Sequence, residues 1–340
     1  MLVDWCSLTV KDVNKIEEVF FILGLDKNNF EYLESGHFGY TNSVKFGSIF
    51  IYYHPKRPEM GYHIVMSGQA CRDYEVALSE REFDWSDFFY WALHFKAKFT
   101  RIDIAIDCFD NELELSKIRS VLRKGGCITR IKYVSEYAKI ETSDGSIAGR
   151  TLYFGSRSSD LMIRMYDKKQ ERLDKHYVVP FDTWVRCELE IKHDAANNFA
   201  EIIANGNDLG LVVKGVLSNT MRFVKGTKEK ILIAKKNNNR DWLETAEWWS
   251  NFIGGVECLK ITGKATETNI EKSTDWFIHS ASKQLAKLDY LMGSDYIDEI
   301  KKMGKKKLTD QDFEQLANQK NFDTNLKKIL NLKIQHNNIK

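Results

Sequence analysis

The sequence lacks the flexible linkers of multi-domain proteins, the signal pattern of secreted proteins and the long apolar runs of membrane-spanning proteins. Only three prolines occur in 340 residues, and no long Pro-, Gly- or Ser-rich linker separates two halves. No apolar run approaches the roughly 18 residues that a membrane span requires, and the N-terminus lacks a charged-then-apolar signal pattern. These absences predict a cytoplasmic protein without a membrane partner.

The spacings of zinc, nucleotide and dinucleotide sites are missing as well. The six cysteines show no CxxC spacing, and the eight histidines form neither an HxH pair nor an HExxH motif. Neither GxxxxGK(S/T) nor GxGxxG occurs, so ATP or dinucleotide binding has no support. Cys6, Cys108 and Cys187 lie in strand-like runs and are predicted to be reduced thiols of the core.

What is present is a mixture of alternating and helical patterns. Period-two alternation predicts strands over residues 3–10, 40–54, 60–68, 98–110, 129–142, 149–156, 161–168 and 183–192. Apolar stripes and caps predict helices over residues 11–25, 79–95, 114–126, 241–255 and 273–293, with a further helix from Thr309. This order predicts an α+β fold with a mainly antiparallel sheet, followed by a helical C-terminal region with a basic tail.

Three of the predicted strands place apolar residues on one face and ionisable residues on the other. The polar faces carry the following side chains: Arg101, Asp103 and Asp107; Arg164, Tyr166 and Lys168; Arg186, Glu188, Glu190 and Lys192. If these strands pair, carboxylates, cations and one phenol meet on a single patch.

Such a patch suits phosphodiester chemistry. Carboxylate oxygens are the ligands that Mg²⁺ or Mn²⁺ prefers, and a bound cation stabilises charge on a phosphoryl oxygen. Basic side chains hold phosphates, and a tyrosine phenol becomes a nucleophile when cations stabilise its phenolate. The structural alternative is a solvated sheet face, which produces the same alternation. Asp103 and Asp107 share one face and repel each other, which favours a nearby cation.

Four segments lie within residues 3–193: VDWCSLTV, TRIDIAIDCFD, GRTLYFGSRSSDLMIRMYDKKQER and VRCELEIK. Taken together, they resemble the Rep-trans family of replication initiators of rolling-circle plasmids and related relaxases of integrative conjugative elements. The resemblance implies a site-specific DNA nickase and strand transferase that forms a 5′-phosphotyrosine. It places the nucleophile on Tyr166, with Tyr153 as the competing tyrosine.

The resemblance also implies roles for the residues around the tyrosine. A divalent metal, Mg²⁺ or Mn²⁺, would be held by carboxylates, for which the strand faces offer Asp103, Asp107 and Glu188. Arg164 and Lys168 would bind the reacting phosphate. Glu171 would be either a metal ligand or a salt-bridge partner. Further DNA contacts are expected from Arg157, Lys169, Arg172, Arg101 and Arg186.

The expected domain organisation and partners follow from the same resemblance. Residues 1–200 would form the catalytic nicking domain, and residues 201–340 a mostly helical region for DNA recognition or dimer formation. The partners would be double-stranded origin DNA, single-stranded DNA at the nick, a host helicase and a second copy of the chain. A conjugative relaxase and a non-catalytic origin-binding protein remain alternatives to the plasmid initiator.

Overall fold

The computed structural model describes residues 1–258, 282–306 and 308. The chain divides into two compact units, one of Met1–Cys71 with Ala77–Thr262 and one of Arg72–Val76 with Gly263–Lys340. The predicted helix from Thr309 and the basic tail lie outside the described residues, as does the first part of the helix predicted from Ser273. The predicted functional division at residue 200 stays a prediction.

The first unit is built on a sheet of ten strands in the order β2-β3-β4-β5-β1-β6-β11-β10-β9-β8, with antiparallel neighbours. A separate antiparallel pair joins β12 to β7. The strands are β1 Leu2–Val10, β2 Glu31–Leu33, β3 Asn42–Phe46, β4 Ile49–Tyr53, β5 Tyr62–Ser67, β6 Lys98–Cys108, β7 Cys127–Thr129, β8 Val134–Ile140, β9 Ile147–Phe154, β10 Leu161–Asp167, β11 Val185–Lys192 and β12 Met221–Phe223. The predicted α+β fold with a mainly antiparallel sheet is therefore confirmed.

Helices follow between and after the strands. They are α1 Ile16–Leu23, α2 Gln69–Ser79, α3 Trp85–His94, α4 Leu115–Arg123, α5 Lys168–Asp174, α6 His193–Ala204, α7 Leu209–Thr220, α8 Lys228–Lys236, α9 Glu247–Cys258, α10 Ser282–Met292 and α11 Ser294–Lys306. None of these described helices has the length and apolar composition needed to cross a bilayer.

The predicted helix start at Asp241 is wrong, because Arg240–Trp242 form only a short 3-10 helix and the chain becomes extended at Leu243. The backbone N–H of Ala246 donates to the carbonyl of Phe223 at 2.9 Å, and Thr245 forms a β-bridge with Val224. Helix α9 therefore begins only at Glu247, and it continues through Gly254 and Gly255, beyond the predicted end at residue 255, to Cys258.

The strand predicted over residues 161–168 ends one residue earlier than expected. Asp167 adopts an extended backbone, and its Oδ1 accepts a hydrogen bond from the N–H of Gln170 at 2.8 Å. This is an N-cap, so Lys168 is the first residue of α5 and not the last residue of β10. The Asp-x-x-Gln spacing is a capping signal that could have found this boundary.

One face of the large sheet forms the core. Ile104, Leu189 and Ile163, from β6, β11 and β10, are fully buried, and α6 packs on β6. The ring of Phe154 on β9 meets Phe223 of β12 edge-on at 6.2 Å. Cys6, Cys71, Cys108, Cys127 and Cys187 are free and buried, which confirms the prediction of reduced core thiols for those named in advance.

His63 on β5 gives the sheet a pH-dependent contact. Its Nδ1 lies 2.9 Å from the Thr9 hydroxyl, and burial lowers the pKa of the imidazole from 6.5 to about 4. Between these pH values His63 is protonated in the unfolded chain but neutral in the folded chain. The free energy of unfolding therefore falls as the pH drops. We predict a loss on the order of 2 kcal/mol in the free energy of unfolding from pH 7 to pH 4.

Urea unfolding at several pH values checks this loss. His63→Gln should flatten the pH dependence, whereas His94→Gln, at an exposed helix end, should leave the curve of the unaltered protein in place. Equal pH slopes in His63→Gln and the unaltered protein would assign the acid sensitivity to other groups.

Candidate active site

The three polar strand segments are neighbours in the sheet. Arg186 on β11 lies opposite Asp107 on β6 and Tyr166 on β10. Two residues further along β11, Glu188 lies opposite Ala105 and Arg164. Directly opposed residues of an antiparallel pair project to the same face. The predicted convergence of carboxylates, cations and one phenol is therefore present.

This polar face is buried. Asp103, Glu188, Glu190 and Arg186 are only 1%, 3%, 6% and 5% exposed. The alternative of a solvated sheet face is therefore wrong for these positions. Ion pairs that are removed from water cost desolvation energy, which makes such a cluster a candidate functional site.

Two arginines bridge the carboxylates in the first part of the cluster. The Arg101 Nε and Nη2 donate to the two carboxylate oxygens of Asp103 at 2.8 and 2.6 Å, and Nη2 also donates to Glu190 at 2.8 Å. The Arg164 guanidinium donates to Glu188 and lies 3.5 Å from Asp103. Burial raises the pKa of Asp103, although the hydrogen bonds from Arg101 oppose this shift.

Tyr166 is attached to this cluster through its hydroxyl. Its Oη donates to Glu188 Oε2 at 3.1 Å, and the Lys168 Nζ lies 5.6 Å from the centroid of its ring. Burial raises the pKa of the phenol, and the charge of Arg186 opposes that rise. In this conformation Tyr166 is therefore a neutral hydrogen-bond donor.

A second ion-pair cluster lies on the same face. Arg186 donates to both carboxylate oxygens of Asp107, from Nε at 2.7 Å and from Nη2 at 2.8 Å. Its Nη1 lies 3.2 Å from Asp4, and the Trp184 Nε1 donates to Asp107 at 2.6 Å. Asp4, Trp184 and Glu190 were not singled out as site residues; only Glu190 carried a signal, namely its place on the alternating polar face.

Helix α5 adds a third group of charges. Lys168 and Lys175 donate to Glu171 at 2.8 and 2.6 Å. Partial burial raises the pKa of Glu171, but these two hydrogen bonds outweigh it and lower the pKa to about 2. Glu171 is thus placed as a salt-bridge partner. Burial and the nearby charge of Arg186 lower the pKa of Lys168.

The remaining predicted residues lie in different surroundings. Arg157 is exposed in the turn between β9 and β10, and its carbonyl accepts a hydrogen bond from the Lys192 Nζ. Lys169 and Arg172 lie on α5, beside the site. Tyr153 lies opposite Arg164, on the same face as Tyr166, and its ring packs edge-on against Tyr137 at 5.4 Å.

The predicted metal ligands are only partly brought together. Among the described residues, no group of three or more His, Cys, Asp or Glu side chains is placed to hold a metal ion. Asp107 lies four residues from Asp103 along the strand, about 13 Å between Cα atoms, and binds Arg186 instead. Asp103 and Glu188 lie within reach of one guanidinium, that of Arg164. Mg²⁺ is commonly held by one or two carboxylates plus substrate phosphates, so this pair fits such an ion.

Comparison with known sequences now decides the family. The sequence model of the replication initiation factor family matches residues 97–303, which include all the predicted site residues. A model of the N-terminal domain of rolling-circle replication initiation proteins matches residues 1–91. The chain belongs to the replication initiation factor family. This is the Rep-trans family that the sequence resembles, and that prediction is confirmed.

Individual relatives match different shares of the chain. A putative DNA relaxase, NicK of Bacillus subtilis strain 168, is 31% identical over 286 residues, which are 83% of this chain and 78% of the relative. A replication initiation protein of Staphylococcus aureus is 27% identical over 192 residues, which are 53% of this chain and 54% of the relative. The solved structure of a rolling-circle replication initiator protein from Geobacillus stearothermophilus superimposes with a TM-score of 0.67 at 30% identity, over 77% of this chain and 98% of that chain.

Proposed function

We propose that the protein cuts one strand of DNA at a specific site and becomes joined to the 5′ end through Tyr166. The observation that carries this proposal is the 3.1 Å contact between the Tyr166 hydroxyl and Glu188, inside a buried cluster that also contains Arg164. Membership of a family of rolling-circle initiators and relaxases supports DNA as the substrate.

The reaction is a transesterification. The Tyr166 oxygen loses its proton and attacks the phosphorus, and the bond from phosphorus to the 3′ oxygen breaks. The 3′ oxygen takes up one proton and leaves as a 3′-hydroxyl. Glu188 orients the phenol through its hydrogen bond. Arg164 and Lys168 provide positive charge for the phosphate oxygens, which gain charge as the tyrosine attacks.

A divalent cation is part of the proposal. Mg²⁺ or Mn²⁺, held by Asp103 and Glu188, would supply Lewis-acid stabilisation of a phosphoryl oxygen. The chain itself contributes the guanidiniums of Arg101 and Arg164, which hold the same carboxylates in position. Asp107 would act through Arg186, which it holds beside Tyr166 in the sheet.

Two biological roles use this same cut. A plasmid initiator would use the 3′-hydroxyl as a primer, and a relaxase would carry the bound 5′ end. The chain is similar to the putative relaxase over most of both chains, and this similarity supports the relaxase role as well as the initiator role. Both roles require a helicase to separate the strands. Closing the circle needs a second transesterification, which a second copy of the chain would supply with its own Tyr166.

The test is incubation with supercoiled DNA that carries the replicon or element encoding the protein, with Mn²⁺ or Mg²⁺. We predict a nicked product and a protein–DNA adduct that survives denaturant and is digested by protease. Both should disappear in EDTA and return when the cation is restored. Binding without any nick or adduct under these conditions would favour the non-catalytic origin-binding protein.

A further inference from the structure

A cluster of three aromatic rings lies next to the candidate active site, at the end of β6. The ring centroid of Phe109 is 4.3 Å from that of Phe181 and 5.3 Å from that of Trp184. Phe109 keeps 45% of its surface exposed. The chemistry of the cut does not use these rings, and exposed aromatic rings are the platforms on which proteins stack unpaired bases.

The rings are fixed to the elements that carry the reacting groups. The Trp184 Nε1 donates to Asp107 at 2.6 Å, and the backbone N–H groups of Lys168 and Lys169 donate to the carbonyl of Trp184 at 2.9 and 3.1 Å. The Thr183 hydroxyl donates to the carbonyl of Phe109 at 2.8 Å. The aromatic cluster is thus held against the first turn of α5, two residues beyond Tyr166.

Two cations lie beside the segment that carries Phe181 and Trp184. The Arg172 guanidinium carbon lies 3.9 Å from the centroid of Tyr177 and 6.0 Å from that of Trp184. The Lys169 Nζ donates a hydrogen bond to the carbonyl of Asp182, between Phe181 and Trp184, at 2.9 Å. Positive groups beside an exposed ring match a single nucleic-acid strand, which presents phosphates and unpaired bases in alternation.

We propose that Phe109, backed by Phe181 and Trp184, stacks an unpaired base of the cut strand next to the phosphate that Tyr166 attacks. Lys169 and Arg172 hold the phosphates that flank this base. Charge complementarity and the direct contacts to the candidate site favour single-stranded DNA over an apolar peptide or a second copy of the chain. The inference rests on the proposed DNA chemistry and adds a subsite to it.

The test measures affinity without cutting. A fluorescently labelled oligothymidylate and an abasic oligomer of equal length are titrated with protein in EDTA, and anisotropy is recorded. We expect Phe109→Ala to weaken oligothymidylate binding by about 5- to 150-fold, the effect of losing one stacked base. Affinity for the abasic oligomer should not change, because its phosphates are the same and it has no base to stack.

Matched variants separate stacking from folding. Phe109→Trp retains an aromatic face and should bind oligothymidylate like the unaltered protein, whereas Phe109→Leu retains apolar bulk and should bind as weakly as Phe109→Ala. Phe21→Ala, at a position on α1 that is 63% exposed, should have no effect. Thermal melts of each variant confirm that the chain is folded.

Three results would overturn the inference. These are unchanged oligothymidylate affinity in Phe109→Ala, an equal loss on the abasic oligomer, or a shift in sedimentation showing that Phe109 holds a second copy. Because binding is recorded in EDTA, the outcome does not depend on any cut. A chain that forms no DNA adduct but still shows the Phe109 effect would refute the proposed nicking and leave the stacking subsite in place.

Discussion

We expect Tyr166→Phe to abolish the covalent protein–DNA adduct and to lower the nicking rate by roughly 10³-fold or more, the scale on which loss of an enzymatic nucleophile acts. The variant lacks only the oxygen that would bond to phosphorus. The hydroxyl makes one described hydrogen bond, to Glu188, so its removal costs about 1 kcal/mol of folding free energy. DNA binding should therefore persist while the adduct is lost. Denaturing gel electrophoresis with end-labelled DNA measures the adduct.

Tyr153→Phe is the matched control. Tyr153 lies on the same sheet face and opposite Arg164, but its ring packs on Tyr137 and its hydroxyl has no described contact with Glu188. We expect this variant to form the adduct at nearly the unaltered rate. An adduct that survives Tyr166→Phe and vanishes in Tyr153→Phe would move the nucleophile to Tyr153. Survival in both single variants and in the double variant would exclude both Tyr166 and Tyr153 as the nucleophile.

The alternating pattern of β6, β10 and β11 was sufficient to predict which side chains share a face. Side chains in a strand have a period of two, so Arg164 and Tyr166, or Asp103 and Asp107, must project to the same side wherever the strand lies. The pattern does not contain the order of the strands. That β11 lies between β6 and β10, and so places Arg186 between Asp107 and Tyr166, depends on contacts between distant parts of the chain.

The sequence could not predict which carboxylate pairs with which arginine. The repulsion between Asp103 and Asp107 predicts a cation nearby, and the cations present are two arginines: Arg101 binds Asp103 and Arg186 binds Asp107. The sequence also could not predict that the polar face is buried, because a solvated sheet face and a covered polar face show the same alternation. Lys168 was assigned to the strand because its neighbours alternate, although the Asp167 cap starts a helix there.

The second ion-pair cluster should dominate the stability of the site. Arg186→Met keeps an unbranched side chain of similar length and removes the guanidinium from Asp107 and Asp4. Arg186 is 5% exposed, so the Asp107 carboxylate loses its bidentate partner in surroundings that water barely reaches. Breaking a buried pair by removing one partner typically costs 3–5 kcal/mol. We expect a loss of about 3 kcal/mol in the free energy of unfolding, measured by urea titration.

A double variant shows whether the cost comes from the unpaired charge. Asp107→Asn combined with Arg186→Met removes the stranded carboxylate and retains an oxygen for the Trp184 Nε1, so it should regain part of the lost stability. Arg157→Met, at an exposed turn position, should change stability by no more than about 0.5 kcal/mol. If Arg186→Met is as mild as Arg157→Met, the Arg186–Asp107 pair does not stabilise the fold.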